Sequence, residues 1–228
     1  MILAEYVDHM GSDLTVVNSA RVSFNKESKP QANGLVSIPD EKLIRYLAKH
    51  NHFTPFTHPV ITLRETVPIF VARQRFKHVI GFTYNEVSRR YVDDTPEFYV
   101  PDEWRSRPEG SLKQGSGTST VPELVADDFP GGGYSMPTTE VYQTYLSLGA
   151  KLYQRMLDAG IAPEQARMVL PQSMLTSYYV TGSLAAWARA FKLRIDPHAQ
   201  LEIQTLAQQW ETIIEPLFPV SWDALTRN

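Results

Sequence analysis

Residues 59 to 67 alternate apolar and polar side chains, the pattern of a strand buried on one face. Just before it the period changes. Between residues 40 and 50, Leu43, Ile44 and Leu47 recur at helical spacing behind Asp40, which predicts a short amphipathic helix. Pro68 fits the first turn of a further helix over 69 to 77, because a missing N–H costs nothing there. Residues 92 to 101 read as extended. From 102 to 135 periodicity dissolves into Gly, Ser, Thr and Pro, including Gly115-Ser116-Gly117 and Gly131-Gly132-Gly133, and the segment reads as a long surface excursion.

Helical spacing returns after Pro137 with Val141, Tyr145, Leu148, Leu152 and Met156, and stops at Gly160. Pro163 opens a second helix that Pro171 limits, and residues 174 to 181 read as a strand. Ser183 caps a helix running to about Leu193, and Asp196-Pro197 starts a terminal helix carrying Leu201, Leu206, Ile213 and Leu217. A few well-separated strands among helices predict an α+β fold, with helices packed on a central antiparallel sheet in a single domain over residues 1–228. No internal repeat is visible.

Composition narrows the function. With 228 residues, 43% apolar and 21% charged, the chain is long enough for a substantial core and falls in the soluble globular class. A net charge of −3 gives no overall cationic face for holding a duplex, so nucleic acid is not expected as a partner. The absence of a span-length apolar run and of a signal-like start predicts no membrane contact and a cytoplasmic address. Cysteine is absent altogether, which removes disulfides, zinc-thiolate sites and thiolate nucleophiles. His198 and Glu202 stand one turn apart without a third ligand, so no metal is expected. There is no GxGxxG turn for a dinucleotide.

Chemistry concentrates between residues 73 and 91. Arg73, Arg75, Lys77, His78, Arg89 and Arg90 surround a single acid, Glu86, among Phe76, Phe82, Tyr84 and Tyr91. A cationic block with apolar neighbours needs an acceptor, and a phosphate ester suits it. The competing reading is a nucleic-acid module that clamps phosphates with the same block and stacks bases on its aromatics.

Asn85-Glu86-x-Ser88-x-Arg90, led by Lys77-His78, resembles the RHRxxSxNExSxR signature of flavin-dependent thymidylate synthases. Ala20-Arg21-Val22-Ser23-Phe24, His52-Phe53-Thr54-Pro55-Phe56, Arg73-Gln74, Val169-Leu170-Pro171 and Leu193-Arg194-x-Asp196-x-His198-Ala199-Gln200-x-Glu202-Ile203 resemble further blocks of that family, in its order, across residues 5 to 215. The departures fall on the cofactor side. Lys77 and Val79 replace two arginines of the signature, Phe82 reads as an extra residue, and Thr83 replaces serine. Ser183-Leu184-Ala185 stands where the family often has Asn-x-Arg, and Arg189 where it often has Asn.

The resemblance implies reductive methylation of dUMP to dTMP. FAD reduced by NADPH gives the hydride, and 5,10-methylenetetrahydrofolate gives the one-carbon unit. It implies Arg194 as the catalytic residue, stabilising an enolate-like uracil. For dUMP it implies Gln74, Arg75, Phe76, Lys77, Glu86, Val87, Ser88, Arg89, Arg90, Arg167 and Arg194, with Ser88 as a hydrogen-bonding group for want of a companion base. For FAD it implies Ser23, His52, Thr54, Lys77, His78, Val79, Glu86, Ser183, Ala185 and Arg189. Glu86 either bridges flavin and nucleotide or neutralises the arginines around it. His50, His58 and His198 are read as structural. The family's active sites lie between subunits of a homotetramer, which is expected here too. The altered flavin positions leave room for a third reading, a relative that binds the nucleotide without chemistry.

Overall fold

The computed structural model describes residues 1–32, 34–92, 94–109, 115–125 and 135–227. In chain order the elements are β1 (Leu3–Met10), α1 (Asp13–Arg21), α2 (Ile38–Lys49), β2 (Val60–Pro68), α3 (Ile69–Arg75), β3 (Phe82–Glu86), β4 (Glu123–Val125), β5 (Ser135–Pro137), α4 (Thr138–Asp158), α5 (Pro163–Ala166), β6 (Leu175–Ser183), α6 (Leu184–Arg194), α7 (Leu201–Ile214) and α8 (Pro219–Thr226). Short 3₁₀ turns lie at Val22–Phe24, Thr54–Thr57 and Arg167–Val169. The expected α+β class holds, with a four-stranded sheet in the order β1-β2-β6-β3. β1 pairs antiparallel with β2, with a register shift between Tyr6 and Asp8. The bonds Leu184 N to Pro59 O and Thr62 Oγ1 to Thr181 Oγ1 show β6 running against β2.

The backbone groups into two compact units, one of Ile2–Thr66, Gln74–Asn85 and Tyr178–Asn228, the other of Val67–Arg73 and Glu86–Ser177 with Met1. The first carries most of the sheet. Its β2 keeps the alternation read from the sequence, with Ile61, Leu63 and Glu65 buried. Against this strand lies Trp187 of α6, whose indole N–H donates to the Ile61 carbonyl at 3.1 Å. α7 packs on β1 and α6, and α8 packs on α2 and α6. α8 is pinned at its start by Asp13, whose carboxylate accepts from the backbone N–H groups of Val220 and Ser221 at 2.9 Å each. Ser183 caps α6 as expected, its hydroxyl oxygen accepting from Ala186 N.

Two glycines shape this unit next to the cationic block. Gly81 has φ +78, and a Cβ there would come within 2.9 Å of the Ala186 Cβ. Gly182 lies under the Phe82 ring, which an added Cβ would meet at 2.4 Å. Side chains at these two positions would push the 76–82 loop off the start of α6.

The second unit is built around α4. Its buried residues include Val141, Leu146 and Tyr153, whereas Tyr145, Leu148 and Leu152 remain about half exposed. α4 therefore has two apolar stripes, and only one is covered in this unit. Trp104 packs edge-on against Tyr142 and donates to Thr139 Oγ1 at 2.9 Å. Within the excursion, Arg105 bridges Thr120, and β4 pairs with β5. Gly131 to Gly133 lie outside the described residues.

Several expectations change in detail. β1 is an addition to the elements expected, since nearly all its side chains are exposed and it carries no alternating signature. The helix expected from Pro163 to Pro171 is one α-turn followed by a 3₁₀ turn, since so short a stretch cannot propagate. α7 starts at Leu201, because Asp196 closes a local turn on the N–H of His198 at 2.8 Å and does not cap a helix. Its buried face is Ile203, Leu206, Ala207, Trp210 and Ile214, so Leu201 and Ile213 fall outside it.

Candidate active site

In the sheet-bearing unit the loop after α3 folds back on α6. Ser183 N donates to the Gly81 carbonyl at 3.1 Å, and Arg189 Nη2 donates to the Ile80 carbonyl at 3.0 Å. This sets the loop that carries Lys77, His78 and Val79 against the start of α6 through Ile80 and Gly81. The two blocks that depart from the family pattern are thus neighbours, and Ser183 and Arg189 use their polar groups to hold the loop. Lys77 and Val79 are exposed. Lys77 has no acidic partner among the described residues.

His78 is buried, and its Nε2 lies 2.8 Å from Arg194 Nε. Guanidinium nitrogens only donate, so Nε2 must be the acceptor and the ring is neutral with its proton on Nδ1. Burial first, and then the charges of Arg194, Arg75 and Arg189, lower the His78 pKa to about 4. Arg194 is partly buried at the last turn of α6, where burial and then Arg75 lower its pKa too. Its Nη2 reaches the Gln74 carbonyl at 3.5 Å, and Nη1 bonds no described residue. Gln74 Oε1 is buried without a donor among the described residues.

The sign for stability follows from a folded pKa below the unfolded one. Stability is complete above pH 6.5 and falls as pH drops toward 4, because only the unfolded His78 takes up a proton in that window. The loss is on the order of 1–3 kcal/mol once solvent screening is allowed for. Urea midpoints between pH 7.5 and 4.5 should decline in the parent, and His78→Gln should flatten that decline. Parallel curves would show that another group is responsible.

Arg75 turns into the core. Its side chain is wholly buried, paired with the equally buried Glu65 at 3.2 Å. The guanidinium sits 4.5 Å from the Phe82 ring centre, 4.7 Å from Trp210, 4.9 Å from Trp187 and 5.2 Å from Tyr84. Glu65 also accepts from the Tyr178 hydroxyl at 2.5 Å. Phe76 is packed edge-on between Tyr84 and Tyr178. Glu65 supplies the counter-charge of the buried arginine.

Sequence reasoning passed over Glu65, although a signal was present. It is a carboxylate on the inward phase of an alternating strand, where an apolar residue belongs.

Ser23, His52 and Thr54 are exposed on this unit. Ser23 lies in the turn after α1, where Arg21 binds Asp40 at 2.6 Å. Burial would raise the Asp40 pKa, but hydrogen bonds from Ser37, Arg21 and Ser28 hold it below the usual carboxylate range. His52 is grouped with Tyr46 and His50, and the Thr54 carbonyl accepts from the Thr57 hydroxyl at 2.7 Å.

In the other unit, Glu86 Oε1 accepts from the Thr176 hydroxyl at 2.7 Å, and Val87 N donates to the Ser177 carbonyl at 2.9 Å. The Ser88 carbonyl closes a turn on Tyr91 N, and its hydroxyl oxygen accepts from Arg90 N at 3.3 Å. Arg89 pairs with Asp94 at 2.6 Å. Arg90 lies 5.1 Å from the Tyr91 ring centre and has no acidic partner among the described residues. Arg167 Nε donates to the Glu164 carbonyl at 3.2 Å on an exposed side chain.

Comparison with known proteins agrees with this chemistry. The family described as thymidylate synthase complementing protein, Thy1, matches residues 5–220. A flavin-dependent thymidylate synthase of Thermotoga neapolitana is 39% identical over 98% of this chain and 90% of its own length. The crystal structure of the UMP/dUMP methylase PolB from Streptomyces cacaoi bound with 5-Br dUMP is similar at a TM-score of 0.74 and 33% identity. The match covers 100% of this chain and 95% of that one. The same enzyme bound with 5-Br UMP gives 0.77 and 32%.

Proposed function

The chain belongs to the flavin-dependent thymidylate synthase family, and on that premise we propose that it methylates dUMP reductively to dTMP. The observation that carries the reading is the partly buried Arg194 guanidinium, held on a neutral His78 in a protein that has no cysteine. Without a thiolate, C5 of uracil must be made electron-rich by polarisation, and a fixed guanidinium stabilises the negative charge that develops on the ring oxygen. FAD reduced by NADPH supplies the hydride when bound, and 5,10-methylenetetrahydrofolate supplies the one-carbon unit.

The residues fit these ligands. The buried Gln74 Oε1 lacks a donor that a ligand N–H or O–H would provide. Arg194 has N–H groups left over, and Arg90 is a cation without a paired acid among the described residues. For dUMP the proposal names Gln74, Phe76, Lys77, Val87, Ser88, Arg89, Arg90, Arg167 and Arg194, with Glu86 serving both ligands. Arg75 is named for its backbone, since its guanidinium is committed to Glu65. For FAD it names Ser23, His52, Thr54, Lys77, His78, Val79, Ala185, Ser183 and Arg189. Lysine at 77 keeps the charge that a diphosphate attracts but lacks the guanidinium fork.

Residues 1–228 as one domain belong to this proposal, supported by β2 and β6, which run unbroken through both units. The homotetramer also belongs to it, supported by the exposed stripe of Tyr145, Leu148 and Leu152. A cytoplasmic address completes it. No described helix is long and apolar enough to cross a membrane.

The nucleic-acid alternative loses support from the packing of Phe76, Phe82 and Tyr84, whose rings contact protein. The test is direct. Protein purified with FAD should show flavin absorption and convert dUMP to dTMP when NADPH and methylenetetrahydrofolate are added. UMP should be assayed alongside, because the Streptomyces enzyme acts on both nucleotides. Flavin binding with no methylated product from either would leave only the nucleotide-binding relative.

A further inference from the structure

Six residues of the sheet-bearing unit form one path of hydrogen bonds with fixed direction, which passes through the main-chain carbonyl of His78 as well as its ring. The Tyr178 hydroxyl donates to Glu65 Oε2 at 2.5 Å. Arg75 Nε donates to both oxygens of Glu65, at 3.2 and 3.4 Å. Arg75 Nη1 donates to the Tyr84 hydroxyl oxygen at 2.6 Å. A guanidinium never accepts, so the single Tyr84 proton must go elsewhere, and of its two carbonyl acceptors that of His78 at 2.7 Å is much nearer than that of Arg75 at 3.4 Å. The His78 ring then accepts from Arg194 through Nε2.

None of these bonds can be reversed. Tyr84 is kept in its neutral, donating form, its pKa pushed up to about 12 by burial against the opposing charge of Arg75. The rings of Phe82, Trp187 and Trp210 leave Arg75 no exit to solvent.

We propose that Glu65, Arg75 and Tyr84 are positioning residues for Arg194: the buried ion pair sets the Tyr84 hydroxyl on the His78 carbonyl, and the His78 ring so placed sets the guanidinium. The inference rests on Arg194 polarising the substrate, as proposed above, but the path itself is a property of the folded chain. A residue of this kind acts through preorganisation, where misplacement by about 1 Å costs up to about 100-fold in rate.

Tyr84→Phe removes one hydroxyl and keeps the ring between Phe76 and Tyr178. In the holoenzyme kcat should fall about 10- to 100-fold. FAD content and the KM for dUMP should stay near the parent values. Independently of turnover, ¹⁵N NMR of the His78 ring, assigned by its loss in His78→Gln, should show an unprotonated Nε2 in the parent and mixed tautomers in Tyr84→Phe. Parent-like kcat or an unchanged ring signal in the variant would overturn the proposal. If Tyr84→Phe does not fold, Tyr178→Phe releases the far end of the path and is read the same way. A parent protein that makes no dTMP would sink the functional reading, while the ring signals would still decide whether the path exists.

Discussion

Arg194→Ala is expected to lower dTMP formation by about 100- to 1,000-fold, the usual cost of removing a preorganised donor to a developing oxyanion. FAD should stay bound, since none of the groups assigned to the flavin lies on this side chain. The effect should appear in kcat and kcat/KM together, because the interaction strengthens as charge builds on the ring. Lysine should rescue poorly. A point charge cannot keep Nε on His78 and also offer a second N–H from the same plane. Single-turnover assays with pre-reduced enzyme check the result, and a variant that still turns over would refute the assignment.

The second large effect is on stability. Glu65→Ala should cost about 3–5 kcal/mol, because it leaves the wholly buried Arg75 without a counter-charge. Ring faces moderate a buried cation by about 0.5–2 kcal/mol each and cannot replace a carboxylate. Replacing both partners should behave differently. Glu65→Leu with Arg75→Met removes the charge and its compensation together, and most of the lost stability should return. Turnover should not return with it, because Tyr84 would lose the donor that orients it. Denaturant midpoints and kcat on the two variants separate these effects. A single variant as stable as the parent would show that water reaches Arg75.

The fold was legible where one face of an element is buried and the other is not. β2 shows its period of two, and the cap at Ser183 announces α6 in the sequence. The reading failed where that contrast is missing. β1 exposes most of its length, and α4 carries apolar residues on two sides, so its period gives the helix but not which stripe is buried.

The site was legible as a set of blocks but not as geometry. The cationic run reads as uniform in sequence, yet the fold sorts it. Arg75 goes into the core, Arg89 onto Asp94, Arg189 onto a carbonyl, and Lys77 and Arg90 into solvent. What decides between these fates is the partner each finds across the chain. Arg75 and Glu65 lie ten residues apart on different elements, and neither helical nor strand spacing relates them.

The indoles around Arg75 give the protein a label of its own. Trp187 and Trp210, both wholly buried, hold their rings 4.9 and 4.7 Å from a fixed positive charge. The emission colour of an indole responds to the electric field across it, so intrinsic fluorescence should report the state of the Glu65–Arg75 pair without a dye. Slow opening of the cage could then be followed in real time by a wavelength drift.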